Sequence, residues 1–382
     1  MSNIGARIAG SLVLKTIGRW LAAVLVFAAG CSSGEETLKV QLGVVQSLTG
    51  AGAAYGQSGA EGIRLAVDEV NASDGGIRIE YSVSNDESKP DTGVEAFRTF
   101  VANGVTAVIG PSLSNVAFQA LAVTNDAGIP AISPMTSASG IGNIGDYVFR
   151  VALAEDASLP ALIARVGTIG SVREGVLFFD SRDAYSRSSA EAMRAGLAAS
   201  GGAVTLEVDI TAGMPTAATL TGPAVAGADV FLLPVLFEAA APVLRGLRDA
   251  GLMQPAVGGS ALASPDLAKL AGGAANGTYV ASTWHPDVAN ERSQEFVRAY
   301  TEEFGHPPDN YAAVSYASVY LLVDALKRAG STDPDRLRDA LAATSGLDSV
   351  LGTLSIKPSG DATFPPVFQM FSNGKLMLDR PQ

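Results

Sequence analysis

Cysteine and histidine are almost absent from this chain, which has one cysteine and two histidines among 382 residues. A disulfide framework and a zinc site built from His and Cys are therefore excluded. Only two histidines are available for a His-based catalytic triad. Basic residues are also scarce, with 26 Lys+Arg against 38 Asp+Glu and a formal net charge of −12. Because binding to a nucleic-acid backbone requires dense positive charge, we expect no nucleic-acid partner. We also expect no metal, no cofactor and no enzymatic activity.

The N-terminal hydrophobic run, residues 20–29, is too short to span a bilayer. Residues 1–30 carry three basic residues and no acid, and they end in small residues, which predicts a secretion signal. The only cysteine, Cys31, follows directly, and the segment resembles the lipobox of bacterial lipoproteins, although Ala28 stands where that motif usually has Leu. The resemblance implies lipidation of Cys31, a tether over residues 31–37 and an exported protein anchored to the cell envelope. The alternative is an ordinary cleaved signal followed by a free thiol.

From residue 38 onward, short apolar runs alternate with longer segments of helical periodicity, which is typical of α/β domains with parallel sheets. One series of strands and helices ends near residue 152. A second begins at once, with a helix over 159–166 and a strand over 175–179. Residues 140–145 spell G-x-G-x-x-G, but the next segment is strand-like where a dinucleotide site requires a helix. The sequence therefore predicts two α/β lobes of similar build and no dinucleotide site.

Short motifs spread along the mature chain carry a family resemblance. They are Leu42–Gly50 followed by Tyr55-Gly56, Gly62–Asn71 with Gly75-Gly76-Ile77, Asn85-Asp86, Pro90, Val108–Pro111, Gly128–Pro134, Pro308–Tyr316 and Gly352–Asp361. Together they resemble the branched-chain amino-acid (Leu/Ile/Val)-binding family of ABC transporter solute-binding proteins. The resemblance implies the type I periplasmic-binding fold, in which two Rossmann-like lobes are joined by three hinge crossings and the ligand lies in the cleft between them. On this sequence, lobe 1 would comprise 38–152 plus 284–352, and lobe 2 would comprise 153–283 plus 353–382.

The loops after the strands are the expected ligand-binding segments, because ligands of open α/β sheets bind outside the carboxyl ends of the strands. After the strand Val105–Ile109, Ser114 can cap the next helix and, with the free N–H groups of that helix, hold a carboxylate. The alternative for such hydroxyl residues is that they bond only nearby backbone. The family resemblance assigns further candidates, which are Tyr55, Met135, Ser137, Tyr185, Leu236 and Ser260. Thr136 and Phe237, which are adjacent to these positions, complete the candidate set.

Ser260 marks a departure from the family pattern. Amino-acid binders carry an acidic residue at this place for the ligand ammonium, whereas Ser260 has no charge. A desolvated ammonium without a countercharge would be poorly compensated. The ligand therefore either lacks an α-amino group or presents its amine to another acid, such as Asp180 or Glu238.

The resemblance implies an extracytoplasmic substrate-binding lipoprotein that captures a small polar solute by lobe closure. The solute would be an amino acid or a related carboxylate or amide, the partner would be an ABC permease in the membrane, and the protein would be a monomer. The alternative is a ligand sensor or an envelope scaffold lipoprotein of the same fold that acts through protein partners. Polar groups converging from both lobes on a pocket favour transport, whereas an occluded cleft with an exposed apolar patch favours the scaffold.

Overall fold

The computed structural model describes residues 37–380. The predicted signal peptide, Cys31 and all but the last residue of the tether lie outside the described residues. The strands are β1 (Leu38–Gln46), β2 (Ile77–Asn85), β3 (Ala107–Ile109), β4 (Ala131–Ser133), β5 (Val148–Arg150), β6 (Glu174–Phe179), β7 (Ala203–Asp209), β8 (Val230–Leu233), β9 (Ala256–Gly258), β10 (Thr278–Ser282), β11 (Leu347–Ser349), β12 (Gly352–Ile356), β13 (Ala362–Thr363), β14 (Val367–Ser372) and β15 (Lys375–Leu378). The α-helices are α1 (Ala53–Ala72), α2 (Pro90–Ala102), α3 (Ser114–Asp126), α4 (Glu155–Gly167), α5 (Ala184–Ala199), α6 (Ala217–Leu220), α7 (Pro223–Ala226), α8 (Phe237–Asp249), α9 (Asp266–Ala271), α10 (Glu291–Phe304), α11 (Asn310–Ala329) and α12 (Pro334–Ala342).

Two large sheets organise the described residues, and both have a parallel core. The first has the order β2-β1-β3-β4-β5 and is parallel throughout. The second has the order β15-β14-β10-β9-β8-β6-β7, in which β14 and β15 are added antiparallel at one edge. A small antiparallel sheet, β11-β12-β13, precedes β14. The mixed α/β architecture with two parallel sheets confirms the fold class predicted from the sequence.

Helices cover the strands because the central strands are apolar on both faces. All four residues of β8 are buried, as are all three residues of β3 and of β9. Continuous apolar runs of this kind are typical of parallel strands packed between two helical layers. The carboxyl ends of these strands carry the loops that form the site.

Helices α1 and α11 are in close contact beside the first sheet. Helix α11 packs along α1, and a Cβ atom added at Gly62 of α1 would overlap the backbone carbonyl of Ala312 in α11. Glycine is therefore required at this position for the two helix backbones to approach. This contact places α11, and with it Tyr311, beside the loops that follow the strands of the first sheet.

Two features are absent from the residues that the structure describes. Within residues 37–380, no helix combines the length and apolar character needed to cross a bilayer. Over the same residues, no group of three or more His, Cys, Asp and Glu side chains is arranged to hold a metal ion.

Candidate ligand-binding site

Loops from the carboxyl ends of the two parallel sheets face each other and enclose a small cavity. It is lined by Tyr55, Ser112, Leu113, Ser114, Met135, Ser137, Asp183, Tyr185, Leu236, Ser260, Ala261 and Tyr311. Seven of the nine residues expected to contact a ligand are in this set. The cavity volume is about 30 Å³, which is room for a water molecule rather than for an amino acid. A solute can therefore enter only when the two sides separate.

The two serine hydroxyls at the cavity after β3, those of Ser112 and Ser114, have different hydrogen-bond partners. Ser112 Oγ donates to Gln46 Oε1 at 2.6 Å and accepts from the Ser47 N–H at 3.0 Å. Ser114 was expected to cap α3, and this expectation is wrong, because Ser114 is the first helical residue and Leu113 is the N-cap. Its hydroxyl instead accepts from the N–H of Ala138 at 3.3 Å. Ser114 thus lines the cavity and at the same time supports the next loop.

In the loop after β4, only part of the expected set lines the cavity. Met135 and Ser137 do so. Thr136 is buried but is not one of the lining residues, and its hydroxyl is hydrogen-bonded to Ser133 Oγ at the end of β4. Thr136 thus bonds a neighbouring side chain, rather than the nearby backbone that the alternative interpretation named.

The aromatic residues Tyr55 and Tyr311 connect the two sides of the cavity. Tyr55 Oη donates to the carbonyl of Ala261 at 3.1 Å and accepts from the N–H of Phe237 at 3.1 Å. Tyr311 Oη lies 3.0 Å from the carbonyl of Ser260 and 3.1 Å from that of Ala261. Burial raises the pKa of both phenols well above its usual range, so both remain hydrogen-bond donors. Tyr311 lies in a segment that carried the family resemblance, but its role in the site was not predicted.

Phe237 stands behind the site rather than in it. Its ring packs against that of Tyr55, with centroids 5.1 Å apart, and it is absent from the set of lining residues. The neighbouring Leu236 is the residue that lines the cavity and is also the N-cap of α8. Phe237 therefore holds Tyr55 in place through ring packing and through its backbone N–H.

A two-bond contact joins α3 to the start of α5 at the mouth of the cavity. Asn115 Nδ2 donates to Asp183 Oδ2 at 2.6 Å, and the N–H of Ala184 donates to Asn115 Oδ1 at 2.6 Å. Asp183 also caps α5 by accepting from the N–H of Ser186. Burial raises the pKa of Asp183 above its usual range. Sequence reasoning identified neither Asn115 nor Asp183, although Asp183 precedes a helix in the way that an N-cap residue does.

The acid of the site is Glu155, which sequence reasoning missed. Its Oε1 atom accepts from Ser137 Oγ at 2.9 Å, from the Ser260 N–H at 3.0 Å and from Ser260 Oγ at 2.7 Å. The side chain is buried, and burial raises the pKa of its carboxyl despite these three hydrogen bonds. Glu155 thus lies directly behind the two serines that line the cavity from opposite sides, with Ser137 and Ser260 hydroxyl oxygens 3.1 Å apart.

The two acids named from the sequence as substitutes for the missing charge lie elsewhere. Asp180 accepts from Thr211 Oγ1 at 2.8 Å and from the Arg182 N–H at 2.9 Å, away from the cavity lining. Glu238 is exposed, with Oε2 3.3 Å from Tyr55 Oη. Of these acids, Glu155 is therefore the one in contact with Ser260.

Two α/β lobes that face each other across a cleft lined by hydroxyl groups define the class of two-lobe solute-binding proteins. The chain belongs to the periplasmic binding protein family, whose profile matches residues 39–370. This confirms the family resemblance seen in the sequence and the expectation of a solute-binding protein rather than an enzyme.

Individual relatives agree with the family assignment. The chain is similar to the Leu/Ile/Val-binding protein homolog 1 of Brucella abortus, with 29% identity over 92% of this chain and 94% of the relative. It is also similar to the branched-chain amino acid transporter substrate-binding protein LivJ of Streptococcus pneumoniae in complex with isoleucine, with a TM-score of 0.82, 25% identity and coverage of 90% and 100%. A solute-binding protein of an ABC transporter from Rhodopseudomonas palustris, in complex with 3,4-dihydroxybenzoic acid, shares the fold with a TM-score of 0.80, 21% identity and coverage of 89% and 95%.

Proposed function

We propose that this protein is the extracytoplasmic solute-binding component of an ABC transporter, and that it captures a small polar solute by closing two lobes and delivers it to a membrane permease. Lobe 1 comprises 38–152 plus 284–352, lobe 2 comprises 153–283 plus 353–382, and the mature protein acts as a monomer. The observation that carries the proposal is the convergence of hydroxyl groups from the loops of both sheets on one cleft.

Closure follows from the position of these groups. Tyr55 and Tyr311 reach the carbonyls of Ser260 and Ala261 only when the two sides are together. A solute that contacts both sides binds the closed arrangement better than the open one, and so shifts the population toward closure. The permease can then distinguish a loaded protein by its shape.

The solute class is an amino acid or a related carboxylate. Two of the relatives described above carry names for binding branched-chain amino acids, and a third was solved with an aromatic acid. The proposed ligand-contacting residues are Tyr55, Ser114, Met135, Ser137, Tyr185, Leu236 and Ser260, all of which line the cavity. Both solute types have a carboxylate and an apolar body, which fits a cleft that offers hydroxyl groups beside methionine, leucine and tyrosine side chains.

A thermal-shift screen of the mature chain against amino acids, amides and aromatic acids tests the function. A compound that binds only the folded protein at 100 times its Kd adds about 2.7 kcal/mol to the free energy of unfolding. Small-angle X-ray scattering on the hit should show a more compact particle. If no compound shifts the unfolding temperature, transport of these solutes is refuted and a scaffold that acts through protein partners is favoured.

Lipid anchoring at Cys31 is a separate part of the proposal. A Cys31→Ser variant, expressed with its own signal in a bacterial host, should move from the membrane fraction to the soluble extracytoplasmic fraction and lose incorporation of labelled fatty acid. Ser32→Ala is the matched control and should remain with the membrane. Equal membrane association of the wild type and the Cys31→Ser variant would contradict the anchor.

A further inference from the structure

Glu155 holds a buried carboxylate directly behind Ser137 and Ser260, which line the cleft, and has no cation of its own within the described part of the chain. Its Oε1 atom is bonded to Ser137 and Ser260, whereas Oε2 is fully buried and has no hydrogen-bond partner among the described residues. Tyr185 Oη is also buried and has no hydrogen-bond partner among the described residues. A Cβ atom added at Gly259 would collide with both Glu155 Oε2 and Tyr185 Oη, so these two oxygens lie side by side over the bare backbone of Gly259.

The charged surroundings of this pair are acidic. Asp183 is the only charged residue in the lining set, and that set contains no Lys, Arg or His. The nearest base, Arg150, is committed elsewhere, because its guanidinium is 2.7 Å from Asp361 and also donates to the carbonyl of Ala138. A solute of net negative charge would therefore enter a site whose uncompensated groups are already negative.

From this geometry we propose that Glu155 is the counter-ion for the ammonium group of the solute, and that the solute is an α-amino acid rather than a carboxylate without an amine. The proposal rests on the proposed function. It assigns to the first turn of α4 the acid that is missing at Ser260, with Tyr185 Oη as a second acceptor. The solute carboxylate then binds at the Ser114 side of the cleft, where α3 begins.

The hydrogen-bond arrangement makes affinity change with pH in opposite directions for the two kinds of solute. Oε1 already accepts three hydrogen bonds, so a proton on Glu155 resides on Oε2. An ammonium requires this oxygen as an acceptor and binds the ionised carboxylate, whereas a solute carboxylate would require the proton. Affinity for an amino acid should therefore rise as pH increases above the usual glutamate value of about 4.3, and affinity for a carboxylate without an amine should fall.

The ionisable groups facing Glu155 determine whether this pH dependence can be assigned to it. Arg150 on β5 and Tyr185 on α5 act on Glu155 directly, while Asp183 lines the same cavity and Glu238 lies beside Tyr55. Burial raises the pKa of Asp183 and raises that of Glu238 to about 7, so the pH dependence belongs to Glu155 only if Glu155→Gln abolishes it. Burial keeps the pKa of Tyr185 well above its usual range, and Arg150 retains its ion pair with Asp361, so neither titrates near neutral pH. Asp156 is exposed and is removed by the control variant below.

The test is calorimetric titration with matched pairs of solutes: leucine with 4-methylpentanoate, and phenylalanine with 3-phenylpropanoate. We expect the wild type to bind at least one amino acid and to discriminate against its partner without the amine. Glu155→Gln should weaken amino-acid binding by about 30-fold or more and abolish the rise in affinity with pH. Asp156→Asn removes one acid from the same helical turn and should leave affinity, discrimination and pH dependence unchanged.

The Glu155→Gln variant should remain folded, so a loss of amino-acid binding can be assigned to the site. Because burial raises the pKa of Glu155, its ionised form lowers the stability of the folded protein as pH rises through that pKa, and Glu155→Gln should unfold at or above the wild-type temperature at neutral pH. If the wild type binds 4-methylpentanoate or 3-phenylpropanoate as tightly as the amino acid, or if Glu155→Gln retains wild-type amino-acid affinity, the role of Glu155 is refuted while solute binding stands. If no solute of the wider screen binds the wild type, the proposed function itself fails.

Discussion

The hydroxyl of Tyr55 connects the two sides of the cleft, and its removal by Tyr55→Phe tests the closure mechanism. Tyr55 lies on α1 beside the first sheet, whereas its partners, the carbonyl of Ala261 and the N–H of Phe237, lie shortly after strands β9 and β8 of the second sheet. The ring is retained in the variant, so its packing against Phe237 and Tyr311 is preserved. The substitution therefore removes hydrogen bonds and little else.

The expected loss of affinity depends on which hydrogen-bond partners of Tyr55 are left unpaired in the variant. The N–H of Phe237 loses its bond to the hydroxyl, whereas the carbonyl of Ala261 keeps a second donor, Tyr311 Oη, at 3.1 Å. A buried polar group left without its partner costs about 1–2 kcal/mol. Because this cost applies to the closed arrangement, leucine affinity measured by calorimetry should fall by about 5- to 30-fold.

Tyr311→Phe supplies the matched comparison. The Ala261 carbonyl then keeps Tyr55 as its donor, but in the double variant it loses both donors, so the two substitutions together should cost more than the sum of the single losses. Small-angle X-ray scattering with saturating leucine should show incomplete compaction in the double variant. Wild-type affinity for Tyr55→Phe, together with additive single effects, would refute the role of these hydroxyls in closure.

Two further predictions concern the scaffold that holds the site. Gly62→Ala forces a methyl group against the carbonyl of Ala312 and should lower the free energy of unfolding in urea by about 1–3 kcal/mol, whereas Gly170→Ala, which meets nothing within 4 Å, should leave it unchanged. Asp361→Ala leaves the fully buried guanidinium of Arg150 without its 2.7 Å partner and should lower the free energy of unfolding by about 3–5 kcal/mol. A urea midpoint equal to that of the wild type would contradict either argument.

The sequence predicted the fold and the loops of the site well, because both depend on patterns that the chain displays locally. Apolar runs and helical periodicity located the parallel strands, and the carboxyl-end rule then selected the loops that contain Ser114, Ser137 and Ser260. What remained hidden is the direction of individual side chains within those loops. Thr136 and Ser137 are adjacent hydroxyl residues, yet Thr136 bonds Ser133 at the end of β4 and Ser137 reaches across the cleft to Ser260.

Glu155 was missed for a specific reason. Periodicity locates a helix from its first apolar positions, which here predicts a start at residue 159, but α4 begins four residues earlier with Glu155. The first turn of a helix is commonly polar, since its free N–H groups favour acidic side chains, and it therefore lacks an apolar pattern. An acid in such a turn is normally interpreted as a favourable charge near the helix dipole, and only the fold shows that Glu155 turns inward to Ser137 and Ser260 instead.

The position of Glu155 also explains how a neutral residue can stand at Ser260 in a family whose amino-acid binders carry an acid there. The N–H and hydroxyl of Ser260 both donate to Glu155, so Ser260 orients the carboxylate rather than replacing it. A second acid at position 260 would lie against Glu155, and two carboxylates in one buried site cannot both ionise without a large cost. Under the proposed role of Glu155, a glutamate at position 155 therefore favours an uncharged residue at position 260. The serine found there in place of the family's acid then indicates that the negative charge has moved to Glu155.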